Sequence, residues 1–364
     1  MRSVIIGGGV AGCAVAAALR GSNVASESVI LERRLPGAPN GMGFILMPNG
    51  IQALESIAPE FDWRSAGQTI DRVSLRSRSG AIFAETPIES AVCVSRERFL
   101  EMLRAAANQT QFIDGASMAG LDQHADESTR AVRLQDGSVI EGDVFFACDG
   151  ARSRTREILF PEAKLSDVAV QEIVSVADAP ALACALGTTF RKFHDEEGGL
   201  AVGMLAESAT RVVWFMQFDA ARWTNVASNP ESMQRFMFER IKGWAPEVLE
   251  AFHHTDFSMS HLWPTRDLPP MAALAHRNLA LVGDAAHACL PFTSQGANGA
   301  LVDAALLAKL LAESQSAQDI NAAFTRYSAI RRPHHQRMFD EGRRLRAQFL
   351  APIGRSAPCI PLVA

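Results

Sequence analysis

Within the first 32 residues, a short apolar run, Val4-Ile5-Ile6, meets Gly7-Gly8-Gly9-Val10-Ala11-Gly12, and an alanine-rich stretch follows to Leu19. A second apolar run, Val29-Ile30-Leu31, ends in Glu32, twenty residues after Gly12. Strand, Gly-x-Gly-x-x-Gly turn, helix, strand and acid in this register predict a βαβ unit whose backbone receives a dinucleotide. Gly7 permits the tight turn, Gly9 lets a pyrophosphate approach the main chain, and Gly12 lets helix and strand pack closely. The helix start at Val10 and Ala11 offers unpaired N–H groups to negative charge. Glu32 can accept from both ribose hydroxyls of an adenosine. Arg33 is a candidate for a ribose phosphate, whereas Arg34 reads as surface charge.

A second segment, residues 279–299, repeats the logic at the other end of the chain. Leu279 to Val282 reads as a buried strand ended by Gly283, and Asp284 falls at its carboxyl end, where open α/β sheets place ligands. Gly296-Ala297-Asn298 then opens a helix. A carboxylate that accepts from a sugar-alcohol hydroxyl, beside a helix start that holds an anion, suits a flavin. Between the two segments, Asp136-Gly137 predicts a hairpin turn, and Val144–Cys148 a buried strand. Asp149-Gly150 ends that strand, and Ser153 can cap the next helix.

Three matches make the chain resemble the para-hydroxybenzoate-hydroxylase-like flavoprotein monooxygenases. They are the amino-terminal fingerprint ending in Glu32; Asp149-Gly150-Ala151-Arg152-Ser153-Arg154-Thr155-Arg156; and Gly283-Asp284-Ala285-Ala286-His287 with Pro291, Gln295-Gly296-Ala297-Asn298 and Asp303. Lesser matches are Gly41-Met42-Gly43, Pro48-Asn49-Gly50, and Arg96 three residues before Phe99. The resemblance implies an α/β fold: a Rossmann-like FAD-binding domain interleaved with an antiparallel-sheet substrate domain, plus carboxyl-terminal helices. It implies FAD held by Gly7, Gly9, Val10, Ala11, Gly12, Glu32, Arg33, Gly43, Arg96, Asp149, Asp284, Gly296, Ala297 and Asn298. Pro291 would approach the reactive edge of the ring, and Gly296 and Asn298 would stabilise charge on the reduced flavin. NADH or NADPH would reduce FAD, and a flavin hydroperoxide formed with O2 would pass one oxygen atom to a small, aromatic or largely apolar substrate. Thr293-Ser294 departs from the family, many of whose members have a glycine there. A flavin reductase of the same fold and a non-catalytic flavin-binding accessory or sensor protein are the alternatives. A halogenase would show Trp-x-Trp-x-Ile-Pro and an early lysine, and this chain has neither; its first lysine is Lys164.

The expected layout places the FAD-binding domain at 1–70, 95–164 and 265–320, the substrate sheet at 71–94 and 165–264, and a helix and tail at 321–364. In the middle segment VAVQEIVSVA, GTTFRKF, GGLAVGML and RVVWFMQF read as successive antiparallel strands, followed by a helix across PESMQRFMFERIKGW. Phe190, Met204, Trp214, Met216, His261 and Trp263 are the candidate pocket residues. Strand alternation puts Trp214 and Met216 on one face, with the other candidates of the pocket, and points Phe215 the other way. Residues 322–350 read as a solvated helical face broken at Pro333, with the tail wrapping the surface. A formal charge of −5 gives no reason to expect nucleic acid. Six cysteines without Cys-x-x-Cys spacing imply a reduced compartment, the cytoplasm, and no metal site. No membrane span is expected.

Overall fold

The computed structural model describes residues 1–20, 22, 24, 26–35, 43–312 and 314–353. Gly41, Met42 and the tail from 354 onward lie outside the described residues. Arg2–Ile6 pairs in parallel with Glu27–Glu32 on one side and Val144–Ala147 on the other. Gln111–Asp114, Leu279–Leu281 and Ala275–His276 complete a six-stranded sheet, ordered 275–276, 279–281, 144–147, 2–6, 27–32, 111–114. Only the short 275–276 edge runs antiparallel. Val144–Ala147 and Leu279–Leu281 are buried throughout, which is why they read as unbroken apolar runs rather than alternating ones. The helices Val10–Ala18 and Gln295–Leu311 pack against each other beside this sheet.

A second sheet has eight strands, in the order 261–264, 170–178, 211–219, 200–206, 189–194, 68–77, 82–95, 43–46. The four middle strands form where their alternation predicts, but they are not paired in chain order. Val170–Asp178 pairs antiparallel with Arg211–Asp219, the last of the four. Thr189–His194 pairs in parallel with Gln68–Ser77, joining segments more than a hundred residues apart. Helices Pro180–Leu186, Pro230–Ile241 and Pro246–His253 cover one face of this sheet. The first and last of these have no counterpart in the sequence reading. A separate three-stranded sheet carries the Asp136-Gly137 hairpin, with Gly137 at φ +88°.

The carboxyl-terminal segment departs most from expectation. Ala317–Leu350 is one helix of 34 residues that continues through Pro333, and much of one side is buried rather than solvated. Proline costs a backbone hydrogen bond in a helix interior. Tertiary anchors on both sides hold the helix through it. Tyr327 donates to the Leu281 carbonyl at 3.0 Å, Arg331 pairs with Asp303, and Leu345 and Phe349 pack with Leu290 and Phe292.

Candidate functional site

Gly7, Glu32, Asp149 and Asp284 stand at the carboxyl ends of the parallel strands. Gly7 sits at φ +107°, and a Cβ there would overlap the Cys148 carbonyl. A Cβ on Gly12 would strike the Gly7 carbonyl, so the turn and the helix approach need glycine at both positions. At Gly9 the nearest atom to a Cβ among the described residues would be Arg96 Nη2 at 4.0 Å, which leaves the backbone open to a ligand. Glu32 Oε2 accepts from Gly8 N at 2.7 Å and Oε1 from Arg34 N at 2.8 Å. Each oxygen keeps a lone pair for a hydroxyl. Arg33 is exposed. Arg96 opens the helix Arg96–Ala106, capped by Ser95, and its guanidinium makes no hydrogen bond or ion pair among the described residues. Burial lowers its pKa, while Asp284 raises it, so a desolvated cation lies beside Gly9 with no direct counter-ion among the described residues.

Asp149 accepts from Thr155 N and Oγ1, each at 3.0 Å, and its Oδ1 is buried without a partner. Arg156 is a buried cation. It is 3% exposed and donates to the carbonyls of Ala285 (3.0 Å) and Ala151 (2.6 Å), tying the two Asp-containing loops together. Of its neighbours, Arg154 pairs with Glu157 on the surface and Arg152 is exposed. Asp284 Oδ1 would lie 3.6 Å from a Cβ on Gly296, placing the carboxylate over the start of the Gln295–Leu311 helix. Gly296 and Ala297 occupy its first turn, where N–H groups lack a carbonyl four residues back. Arg96 and the Asp149 oxygen, both without partners among the described residues, together with Asp284 and an open backbone at Gly9, form a donor and acceptor set that fits FAD.

Pro291–Thr293 forms a short 3-10 turn, and Ser294 then takes a left-handed conformation, φ +54° and ψ +22°. Glycine reaches that region without strain. The Thr293-Ser294 departure therefore preserves the turn at some backbone cost. The Asn298 side chain is fully occupied: Oδ1 accepts from Met47 N, and Nδ2 donates to the carbonyls of Ile45 and Ser294. Its side chain ties the loop to the second sheet, leaving only its backbone for a flavin. Gly50 lies so close to Asn298 Oδ1 that a Cβ could not fit. Gly43 lies in the strand Gly43–Leu46, against Val94 and Val213.

Behind the loop, Asp303 is fully buried and accepts from His287 Nε2 (2.6 Å), Arg331 Nε (2.6 Å) and Gly283 N (3.0 Å). Burial alone would raise its pKa, but His287 and Arg331 hold it well below the carboxylate range. His287, Asp303 and His335 come close enough to suggest a metal set. Both carboxylate oxygens already serve those donors, and a cation would have to displace Arg331. The cluster is an ion-pair clamp between the loop and the carboxyl-terminal helix.

The candidate pocket residues divide by sheet face. Phe190, His261 and Trp263 share the face that meets Phe292, with Phe190 buried and the other two exposed on the edge strand. Met204, Trp214 and Met216 point the opposite way. They are fully buried against the three covering helices, and Trp214 Nε1 donates to Thr255 Oγ1 at 2.9 Å. Phe215, assigned to the far side, stands on the Phe292 face, 6.2 Å from the Phe190 ring. Alternation gave the relative faces correctly but not which one the helices cover. Sequence reading also missed Lys192, Gln217 and Glu172, a buried polar row on the Phe292 face. A lysine inside the alternating run GTTFRKF, in a chain with four lysines, was the available signal.

The model of the FAD binding domain family matches residues 1–342. The FAD-dependent urate hydroxylase of Klebsiella pneumoniae is 25% identical over 345 residues, covering 91% of this chain and 86% of that protein. The aurachin C monooxygenase/isomerase of Stigmatella aurantiaca is 24% identical over 339 residues, covering 90% and 84%. Among solved structures, Klebsiella pneumoniae HpxO complexed with FAD and uric acid superposes with a TM-score of 0.83 at 22% identity, covering 94% of this chain and 87% of that one. PqsL of P. aeruginosa, complexed with 2-aminobenzoylacetate, gives 0.80 at 21% identity, covering 98% and 97%.

Proposed function

The chain belongs to the FAD binding domain family, among its class A flavoprotein monooxygenases, and as an FAD-dependent monooxygenase, we propose, it takes its electrons from NADH or NADPH. The substrate in this reading is a small organic molecule, aromatic or largely apolar, into which one atom of O2 is inserted. Bound FAD supplies the redox and oxygen chemistry, and the protein supplies position, charge and exclusion of water. Glu32 would hold the adenosine ribose, Arg96 and the turn at Gly9 the pyrophosphate, and Asp284 the ribityl chain. Asp149 and the first turn at Gly296, Ala297 and Asn298 would face the ring system, with Pro291 near its reactive edge. Residues 1–70, 95–164 and 265–320 are the proposed FAD-binding domain, and 71–94 and 165–264 the substrate domain.

The observation that carries this reading is the meeting of two surfaces. The proposed cofactor site ends at the loop Pro291–Thr293, and Phe292 of that loop lies against the Phe215 face of the eight-stranded sheet. That juxtaposition supports an apolar substrate wall beside the flavin, from which water is excluded. Among the described residues, no helix is long and apolar enough to cross a membrane. The test is NAD(P)H oxidation by the holoprotein across a panel of aromatic acids, phenols and indoles under labelled oxygen. The expected result is acceleration of at least roughly tenfold with a matching ligand, about 1.4 kcal/mol of barrier, and one labelled atom in the product. Acceleration with unlabelled, reduced product would instead support a reductase, and tight binding without acceleration a sensor.

A further inference from the structure

Lys192 Nζ donates to Gln217 Oε1 at 2.7 Å, and Gln217 Nε2 donates to Glu172 Oε1. All three lie on the sheet face that meets Phe292, and each is at most 4% exposed. Of the four lysines, only Lys192 is buried. Its ammonium stands 5.4, 5.9 and 6.0 Å from the ring centroids of Phe292, Phe349 and Phe215. An ammonium has three donors, and among the described residues one is used.

The arrangement makes poor sense as a stability device. Each ion loses its hydration, yet a neutral amide holds the charges apart, so the attraction that could repay that loss is weakened. Well-packed hydrocarbon would serve a core better. Two residues along, on the same face, His194 is 8% exposed and its buried Nε2 has no partner among the described residues. Burial, and then the nearby Lys192 charge, lower the His194 pKa to about 3, which leaves a neutral ring. Burial also raises Glu172 to about 7 and lowers Lys192 to about 8. The ammonium thus lies among aromatic rings with an amide oxygen as its acceptor and no carboxylate against it among the described residues.

We propose that Lys192 anchors an acidic oxygen of the substrate, a carboxylate or phenolate on an aromatic ring, with Gln217 and Glu172 positioning its ammonium. The proposal rests on the reading of this sheet face as the substrate wall. An arriving oxyanion supplies the direct counter-charge that the row lacks, while Phe215 and Phe292 flank the aryl body. A neutral isostere would leave the ammonium as it is.

The test uses FAD-loaded protein without NAD(P)H, titrated calorimetrically with benzoate and with benzamide. Wild type should bind benzoate at least about tenfold tighter. Lys192→Met should erase that preference while retaining FAD, and Lys192→Arg should keep part of it. With 4-nitrophenol at a fixed neutral pH, wild type should show a larger phenolate absorbance on binding than Lys192→Met. Should Lys192→Met not fold, Gln217→Leu, which removes the one acceptor the ammonium has among the described residues, should still change the benzoate-to-benzamide ratio. Equal binding of the two probes by wild type, binding of neither, or an unchanged preference in Lys192→Met or Gln217→Leu would each overturn the proposal. The measurement needs neither reduction nor oxygen. Oxygenation of neutral substrates without anion preference would sink only this inference, and anion preference without ligand-stimulated NAD(P)H oxidation only the functional reading.

Discussion

Replacing Asp303 by alanine removes one side chain and leaves three donors stranded at once. Arg331 keeps a guanidinium that is 5% exposed, and His287 and the Gly283 amide lose their acceptor. An uncompensated buried charge costs about 3–5 kcal/mol, and a buried amide left without an acceptor about 1–3 kcal/mol. Their sum, roughly 4–8 kcal/mol, is a large part of the 5–15 kcal/mol typical of a folded protein. Urea unfolding followed by tryptophan fluorescence should show that loss in FAD-free protein. FAD-loaded protein should lose more, because Gly283 precedes Asp284 and weaker binding adds its own linkage. Arg331→Met in the Asp303→Ala background should recover at least about 2 kcal/mol, since it removes the stranded charge. Acidification gives a further check. Asp303 is held below its ordinary value, so its contribution is present above that value and is lost as pH falls through the folded one. Wild type should thus lose stability more steeply in acid than Asp303→Ala. A single variant within about 1 kcal/mol of wild type, or additive effects in the double variant, would refute the clamp.

Other expectations follow from the same geometry. Glu32→Ala should weaken FAD retention by about 1–3 kcal/mol, measured by fluorescence of released flavin, and unchanged retention would remove Glu32 from the ribose. Trp214→Ala should cost about 3–5 kcal/mol of stability with little change in KM, whereas Phe215→Ala should move KM for an aromatic substrate. The reverse pattern would overturn the face assignment. Glu172 is raised from its ordinary 4.5 to about 7, so its neutral form favours the folded state at low pH and that advantage disappears as pH rises through 7. Relative to Glu172→Gln, wild type should therefore lose stability from about pH 4.5 to pH 7 in parallel denaturation profiles. A constant difference across that range would show that Glu172 titrates normally.

Local chemistry at strand ends and turns is written in single residues. Gly7, Gly12, Asp149, Gly283 and Ser153 were legible because a tight turn, a close backbone approach or a helix cap restricts the residue at one position. Fully buried parallel strands were legible for a similar reason, since both faces demand apolar side chains. What alternation could not tell is which face of an antiparallel sheet meets covering helices and which meets the loop at Phe292, because both environments are apolar. Trp214 and Phe215 changed places for that reason. The continuous helix through Pro333 was equally hidden. Its anchors, Leu281, Asp303 and Phe292, come from segments brought together only by the fold. The Lys192–Gln217–Glu172 row likewise joins strands at 189–194, 211–219 and 170–178, and only their cross-strand pairing makes three scattered polar residues one site.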